Sequence, residues 1–133
     1  MARKKKKEIE IVIDDAGTGN FVGGILIAGY SQEINFYKGI IISPEVFNTC
    51  NSNSIQLKIT KAVKQILAEL KQYKIKSIFL CQSALFDNAA ENLIDNDYVV
   101  FRGKVEGPLQ DLIEKDFINH LKDLGLPEYI EIF

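Results

Sequence analysis

Two adjacent carboxylates, Asp14 and Asp15, are the residues of this 133-residue chain best suited to carry chemistry. They follow an apolar, β-branched run and precede a glycine-rich turn, Ala16-Gly17-Thr18-Gly19. Paired carboxylates at the exit of a strand supply the hard oxygen ligands that Mg²⁺ and Mn²⁺ prefer. The same pattern is also a common polar turn. Asp14 and Asp15 are therefore candidate metal ligands, with Gly17, Thr18 and Gly19 as supporting residues.

A third carboxylate for such a site is predicted on the last helix, at 108–124. On a helical wheel, Glu114 lies on the flank of the apolar stripe, near the N-terminal end, with Gln110 beside it. We take Glu114 as the candidate third ligand, although a flank position is more typical of a rim residue. Asp111 points nearly opposite the stripe, into solvent, whereas His120 falls within it and is expected to be a core-edge histidine. The stripe itself consists of Leu109, Ile113, Phe117, Leu121 and Leu124.

The elements that position these residues are read from hydrophobic periodicity and turn signals. Ser54 is the predicted N-cap of the first helix, and Pro108 and Gly125 bracket the last one. The short connections among the first three strands predict an antiparallel meander, and each helix that follows predicts a crossover between parallel strands. Strands are predicted at 9–14, 23–30, 34–42, 77–81 and 98–102, and helices at 54–71, 85–94 and 108–124. The chain is thus predicted to be an α/β domain with a mixed five-stranded sheet in the order βββαβαβα.

The element order and the first motif together resemble the ribonuclease H-like superfamily. Asp14-Asp15-Ala16-Gly17-Thr18-Gly19 is similar to the D-E-A-G-R-G signature of type 2 ribonucleases H at four of six positions. Asp15 stands where the signature has glutamate, and Thr18 where it has arginine. The resemblance implies a ribonuclease H-like fold in which Asp14 is a bridging ligand and Asp15 and Glu114 complete a Mg²⁺ or Mn²⁺ site. Metal ions held there would activate water and stabilise the leaving oxygen of a phosphodiester.

The second half of the chain resembles Holliday-junction resolvases, around residues 81–89 and 107–113. Small uncharacterised prokaryotic proteins with D-D-A-G-x-G, F-D and L-Q-x-x-[IV]-E elements are also similar. Nucleases of this fold carry a further carboxylate at the end of the fourth strand, where this chain has Cys81, Gln82 and Ser83. Gln82 could orient a water there, Asp87 would have to reach back from the next helix, and Cys81 is expected to pack as a small hydrophobe.

Charge is divided unevenly along the chain. Five of the 16 basic residues lie in residues 3–7, which leaves residues 8–133 with 11 basic against 18 acidic residues, a balance of −7. We expect a basic flexible tail at 1–8, either a solubilising terminus or a contact for phosphate, and one domain at 9–133. The acidic balance of that domain argues against a broad nucleic-acid-binding face.

Several classes of protein are disfavoured by composition. No apolar run approaches the roughly 18 residues of a membrane span, and the basic N-terminus lacks the apolar segment of a signal peptide. Two cysteines and one histidine fit a reducing cytoplasm and do not provide a structural zinc site. We therefore expect a cytoplasmic protein without a membrane partner.

Three functions are compatible with these residues. The leading one is a metal-dependent nuclease that hydrolyses phosphodiester bonds in RNA or structured nucleic acid. The second is a non-catalytic binding or assembly domain of the same fold, for which a homodimer is expected by analogy. The third is a phosphate- or nucleotide-binding domain that uses the loop 14–20, because sugar kinases and actin-like ATPases have a similar D-x-G-T/S loop at this place.

Overall fold

The fold is an α/β arrangement built on one mixed five-stranded sheet. The computed structural model describes residues 6–16, 25–42 and 52–105, followed by 107, 109, 111–113, 115–116 and 119. The strands are β1 (Glu8–Ala16), β2 (Ile25–Ser31), β3 (Phe36–Ile42), β4 (Lys74–Cys81) and β5 (Val100–Gly103). The helices are α1 (Ser52–Ala68) and α2 (Asp87–Asp95). Residues 109, 111–113, 115–116 and 119 are helical and are called here the C-terminal helical segment.

The strand order across the sheet is β3-β2-β1-β4-β5. β1 is antiparallel to β2 and parallel to β4, and β5 is parallel to β4. The predicted α/β class, the mixed five-stranded sheet and the element order as far as β5 are therefore confirmed. The helical state of the C-terminal segment agrees with the predicted last helix, whose two ends lie outside the described residues.

Several predicted boundaries are wrong. β3 begins at Phe36 and not at residue 34, because Gln32–Ile34 forms a 3-10 turn that ends in a left-handed residue, Asn35, with φ 51°. Ser54 is not the N-cap of α1, because the helix begins at Ser52 and ends at Ala68. β4 begins three residues before the predicted start, and β5 comprises Val100–Gly103 where 98–102 was expected. α2 is preceded by a separate 3-10 turn, Ala84–Phe86, that was predicted as its first residues.

The sheet has an apolar cluster on each face. Alternate residues of β1 point to opposite faces, so Ile9, Ile11 and Ile13 pack on one side with α1 and α2. Val12 and Ala16 face the other side, where Leu109 and Ile113 of the C-terminal helical segment cover the sheet. The core therefore has two layers, and the end of β1 lies between helices on both faces.

The predicted basic tail meets the fold at its last residues. Lys6 donates from Nζ to the backbone oxygen of Lys71 at 3.1 Å, and Lys7 donates to the backbone oxygen of Glu33 at 3.3 Å. β1 comprises Glu8–Ala16 where 9–14 was predicted, so Asp15 and Ala16 belong to the strand and not to the turn that was expected there. No helix in the described part of the chain is long and apolar enough to cross a membrane.

One polar contact fastens the C-terminal helical segment to the sheet. The Tyr37 hydroxyl donates to Oδ2 of Asp116 at 2.7 Å, and both side chains are partly buried. Gly39 leaves the room for this contact, because a Cβ there would lie 2.7 Å from Oδ2 of Asp116. Burial, and then the nearby Asp116 carboxylate, raise the pKa of Tyr37 above its ordinary value of 10.0, so the hydroxyl remains a donor.

Tyr37→Phe should lower the free energy of unfolding by about 1–2 kcal/mol, because it leaves the partly buried Asp116 carboxylate without its donor. Urea unfolding followed by circular dichroism measures the change. Tyr30→Phe is the matched control, since Tyr30 lies on the same face and its hydroxyl makes no hydrogen bond among the described residues. Equal losses in the two variants would contradict a special role for the Tyr37–Asp116 contact.

Candidate metal centre

The two predicted carboxylates lie where β1 ends, beside the end of the parallel strand β4. Ile13 and Leu80 are register partners, so the next residues, Asp14 and Cys81, lie side by side on the same face of the sheet. Ligand atoms of Asp14, Asp15 and Cys81 all lie within 4.8 Å of one another, and the three side chains are partly buried. The fold therefore brings two carboxylates and one thiol together at the carboxyl-terminal edge of the parallel strands.

Hydrogen bonds within this cluster are centred on the Asp14 carboxylate. It accepts from the backbone N–H of Asp15 and from the thiol of Cys81, and its carboxyl group is within hydrogen-bonding distance of that of Asp15. Burial raises the pKa of Asp14 above 3.8, and these hydrogen bonds only partly offset it. The cluster therefore has a stronger tendency to hold a proton, or another positive charge, than an exposed aspartate has.

Cys81 contributes a neutral thiol to the site. Burial raises its pKa to about 12, and the neighbouring Asp14 and Asp15 charges act in the same direction. Only a thiolate is a strong nucleophile or metal ligand, so this cysteine is a hydrogen-bond donor at neutral pH. The expectation that Cys81 packs as a small hydrophobe is thus incomplete: the residue packs against the core and also bonds to the acid pair.

Arg102 of β5 organises the loop that follows β4. Its Nε donates to the backbone oxygen of Cys81 at 3.1 Å, and its Nη2 donates to the backbone oxygen of Ser83 at 2.9 Å. The same Nη2 lies 3.3 Å from Oδ1 of Asp87, with which it forms an ion pair. Asp87 is therefore a partner of Arg102 at the start of α2, and it does not complete the Asp14–Asp15 cluster.

The other predicted site residues fall into two groups. Gln82 is exposed, and its backbone N–H donates to the oxygen of Gly103 at 2.9 Å, which extends the pairing of β4 with β5. Asp111 is exposed, as expected. The predictions for Gly17, Thr18, Gly19, Gln110, Glu114 and His120 lie outside the described residues.

The donor set fits one hard divalent cation. Two carboxylates supply oxygen ligands of the kind that Mg²⁺ and Mn²⁺ take, with water completing the coordination. A neutral thiol is a poor ligand for either ion, and sulfur ligands favour softer metals. Asp14 and Asp15 are therefore the described residues that could hold a single ion, beside Cys81.

The raised pKa of Asp14 has a consequence for stability. As pH rises from 3.8 through the higher pKa of the folded state, the unfolded chain loses a proton that the folded chain retains, so stability falls. Asp14→Asn removes this titration and keeps an oxygen to accept the Asp15 N–H. We expect the variant to be more stable than the wild type at neutral pH, with a difference that shrinks as pH falls towards 3.8. Urea unfolding in EDTA at a series of pH values measures it.

Glu91→Gln, at an exposed position of α2, is the control for this prediction. It removes the same charge away from the cluster and should leave the shape of the stability curve unchanged. If the free energies of unfolding of the wild type and of Asp14→Asn changed in parallel across the whole pH series, the raised pKa of Asp14 would be contradicted.

Comparisons with known proteins do not assign the chain to a family. No protein-family model matches the chain, and no curated protein matches it.

Proposed function

We propose that this chain is a ribonuclease H-like domain that binds a divalent cation at Asp14 and Asp15 and hydrolyses phosphodiester bonds in RNA or structured nucleic acid. The observation that supports the proposal is the position of the acid pair, at the end of the central strand β1 and beside the end of β4. Ligand and catalytic sites in sheets of this kind lie outside the carboxyl ends of the parallel strands.

The topology supports the same proposal. The ribonuclease H-like fold that the resemblance implies has three antiparallel strands followed by two crossover units. The order β3-β2-β1-β4-β5 has this arrangement. The motif that resembles type 2 ribonucleases H begins at Asp14, two residues before β1 ends at Ala16.

In this proposal each residue of the cluster has a separate role. Asp14 and Asp15 hold the cation, which when bound supplies activation of water and stabilisation of the leaving oxygen. Cys81 donates to Asp14 and fixes the orientation of that carboxylate. Arg102 holds the Cys81 and Ser83 carbonyl groups and so positions the loop at the end of β4.

Titration calorimetry with Mn²⁺ at near-neutral pH tests the proposal. We expect the wild type to bind with a dissociation constant in the low-millimolar range or tighter, and both Asp14→Asn and Asp15→Asn to lose that binding. Glu91→Gln should bind as the wild type does. Labelled RNA, RNA–DNA hybrid and branched DNA are then incubated with Mn²⁺ and each variant, and cleavage should be lost with metal binding. Cleavage that survives Asp14→Asn would refute the assignment.

A second candidate is a non-catalytic assembly domain of the same fold. It is favoured by Cys81, which lies at the end of the fourth strand, where nucleases of the ribonuclease H-like fold carry a carboxylate. It is also favoured by two exposed apolar residues, Val99 just before the edge strand β5 and Phe101 within it, which are 53% and 56% exposed. Exposed apolar side chains on an edge strand are typical of a pairing surface. This function predicts a stable homodimer by sedimentation, disrupted by Phe101→Ser, and no metal-dependent activity.

A further inference from the structure

The exposed face of α1 carries a cluster of positive charge. The helix contains Lys58, Lys61 and Lys64, all exposed, and no aspartate or glutamate. Lys71 is exposed in the turn that follows the helix. These four residues, called here the lysine track, lie on a domain whose overall balance is −7 over residues 8–133. The track is therefore a positively charged patch on a domain whose net charge is negative.

Among the described residues the lysine track also has no ion pair, unlike several other basic residues. Ion pairs join Lys38 to Glu69, Lys74 to Glu8, Lys76 to Glu10 and Arg102 to Asp87. Over residues 52–105 and the other described parts, no lysine of the track has an acidic partner within 4.0 Å. Its charge is thus available to an external anion.

Two grooves border the track, each of about 380 Å³. The first lies beside Leu57, Lys58 and Lys61 near the start of the helix. The second lies between the ends of α1 and α2, beside Lys64 and Lys71, and is also lined by Asn92 and by Tyr98, which is partly buried against the core. An aromatic ring beside cationic side chains is the combination on which the bases of a single strand stack.

The track runs towards the edge of the sheet at which the acid pair lies, on the face opposite to the one that carries the Asp14 side chain. β3 ends at Ile42, which pairs with Ile25 at the edge of the sheet where β1 also ends. β4 begins at the opposite edge, where Lys74 pairs with Glu8. Because α1 connects these two edges, its first residues lie towards the end of β1 and its last residues lie away from it. Lys6, bonded to the backbone of Lys71, adds a further cation at the far end.

We propose that the lysine track binds the phosphate backbone of single-stranded nucleic acid and leads the strand towards the edge of the sheet at which Asp14 and Asp15 lie, an inference that rests on the proposed function. Regularly spaced cations, with a groove that holds an aromatic ring, fit a polymer of phosphates and bases. A membrane surface fits less well, because the apolar face of α1 is packed on the sheet and Leu57 is its one exposed large apolar residue in the described part.

Fluorescence anisotropy with a labelled single-stranded RNA of about 15 nucleotides tests the proposal. EDTA is present throughout, so that the metal centre makes no contribution. Four phosphate contacts predict a slope of log K against log salt of about −2.8, or roughly a 50-fold loss of affinity between 50 and 200 mM salt. The double variant Lys61→Gln/Lys64→Gln should reduce the slope to about −1.4 and weaken binding roughly 60-fold at 50 mM salt.

Lys74→Gln/Lys76→Gln is the matched control, because it removes the same charge from exposed lysines that are paired with acids. We expect it to change the affinity by less than about threefold and to leave the slope unchanged. Equal losses in the two double variants would show that net charge alone matters and would overturn the proposal. It would also be overturned by binding to phosphatidylserine vesicles in place of RNA, or by full competition from polyglutamate.

The two proposals fail separately. If Mn²⁺ binds at Asp14 and RNA does not bind in EDTA, the lysine track is refuted and the metal centre stands. If RNA binding depends on Lys61 and Lys64 while Mn²⁺ does not bind, the track is a nucleic-acid surface on a domain without a metal centre. In that second case the claim that the track leads to a catalytic site is refuted.

Discussion

Phe86→Ala should lower the free energy of unfolding by about 3–5 kcal/mol, a large part of the stability of a domain of this size. The Phe86 side chain is 0% exposed and lies in the apolar cluster that α1 and α2 form with Ile9, Ile11 and Ile13 of β1. Truncation removes the transfer free energy of the ring and leaves a cavity that the surrounding side chains fill only in part. Urea unfolding at 25 °C, followed by circular dichroism, measures the difference.

Phe101→Ala is the matched control, because it deletes the same ring from a side chain that is 56% exposed on β5. We expect a loss of about 0.5 kcal/mol or less, as is usual for exposed positions. A Phe86→Ala loss below about 1 kcal/mol would contradict the packing described here.

Phe86 also matters for the site. It closes the 3-10 turn Ala84–Phe86, and Ser83 caps that turn by accepting from the backbone N–H of Leu85 at 3.3 Å. The turn follows directly after Cys81 and Gln82 at the edge of the sheet. The ring is therefore the apolar anchor of the loop beside the acid pair, and Arg102 is its polar anchor.

The elements of the fold were predictable where one physical signal dominates. The alternate isoleucines at 9, 11 and 13 are all 0% exposed, so the apolar, β-branched run predicted β1 correctly. The stripe of Ile59, Val63 and Ile66 predicted α1 because these residues recur at helical spacing and are buried. Short connections predicted the antiparallel pairs, since a parallel crossover needs a longer segment.

Boundaries were less predictable, because they depend on backbone conformations that composition does not specify. Ile34 looks like the first residue of an apolar strand, yet the left-handed Asn35 separates it from β3. Leu85 and Phe86 look like the first turn of a helix, yet they belong to a 3-10 turn that Ser83 caps. In both places a single turn residue decided the boundary, and hydrophobic periodicity carries no signal for it.

Only the part of the candidate site that is contiguous in sequence was predictable. Asp14 and Asp15 are adjacent in the chain, and their position after an apolar run identified them. Cys81 is 67 residues away from Asp14 and becomes its neighbour only through the parallel register of β1 and β4. The pairing of Arg102 with Asp87 depends on the same long-range geometry, so a single sequence does not reveal it.

Replacing Cys81 with aspartate should convert the incomplete cluster into a three-carboxylate metal centre. The aspartate would place a third charged oxygen ligand where the thiol now lies, within reach of the other two acids. In EDTA we expect the variant to be less stable than the wild type by about 1–3 kcal/mol, from repulsion among three neighbouring carboxylates. With Mn²⁺ we expect at least tenfold tighter binding, equivalent to about 1.4 kcal/mol, and recovery of the lost stability.

Cys81→Asn is the matched control for this prediction, because asparagine has the shape of aspartate without its charge. It should change stability in EDTA by less than the aspartate does and should not tighten Mn²⁺ binding. If Cys81→Asp and Cys81→Asn bind Mn²⁺ equally, the end of β4 is not part of a metal centre and the proposed function loses its geometric basis. If only Cys81→Asp binds Mn²⁺ tightly, the neutral thiol of Cys81 is the reason that the natural site binds the ion weakly. The thiol donates a hydrogen bond to Asp14, whereas a carboxylate at this position would be a third anionic ligand.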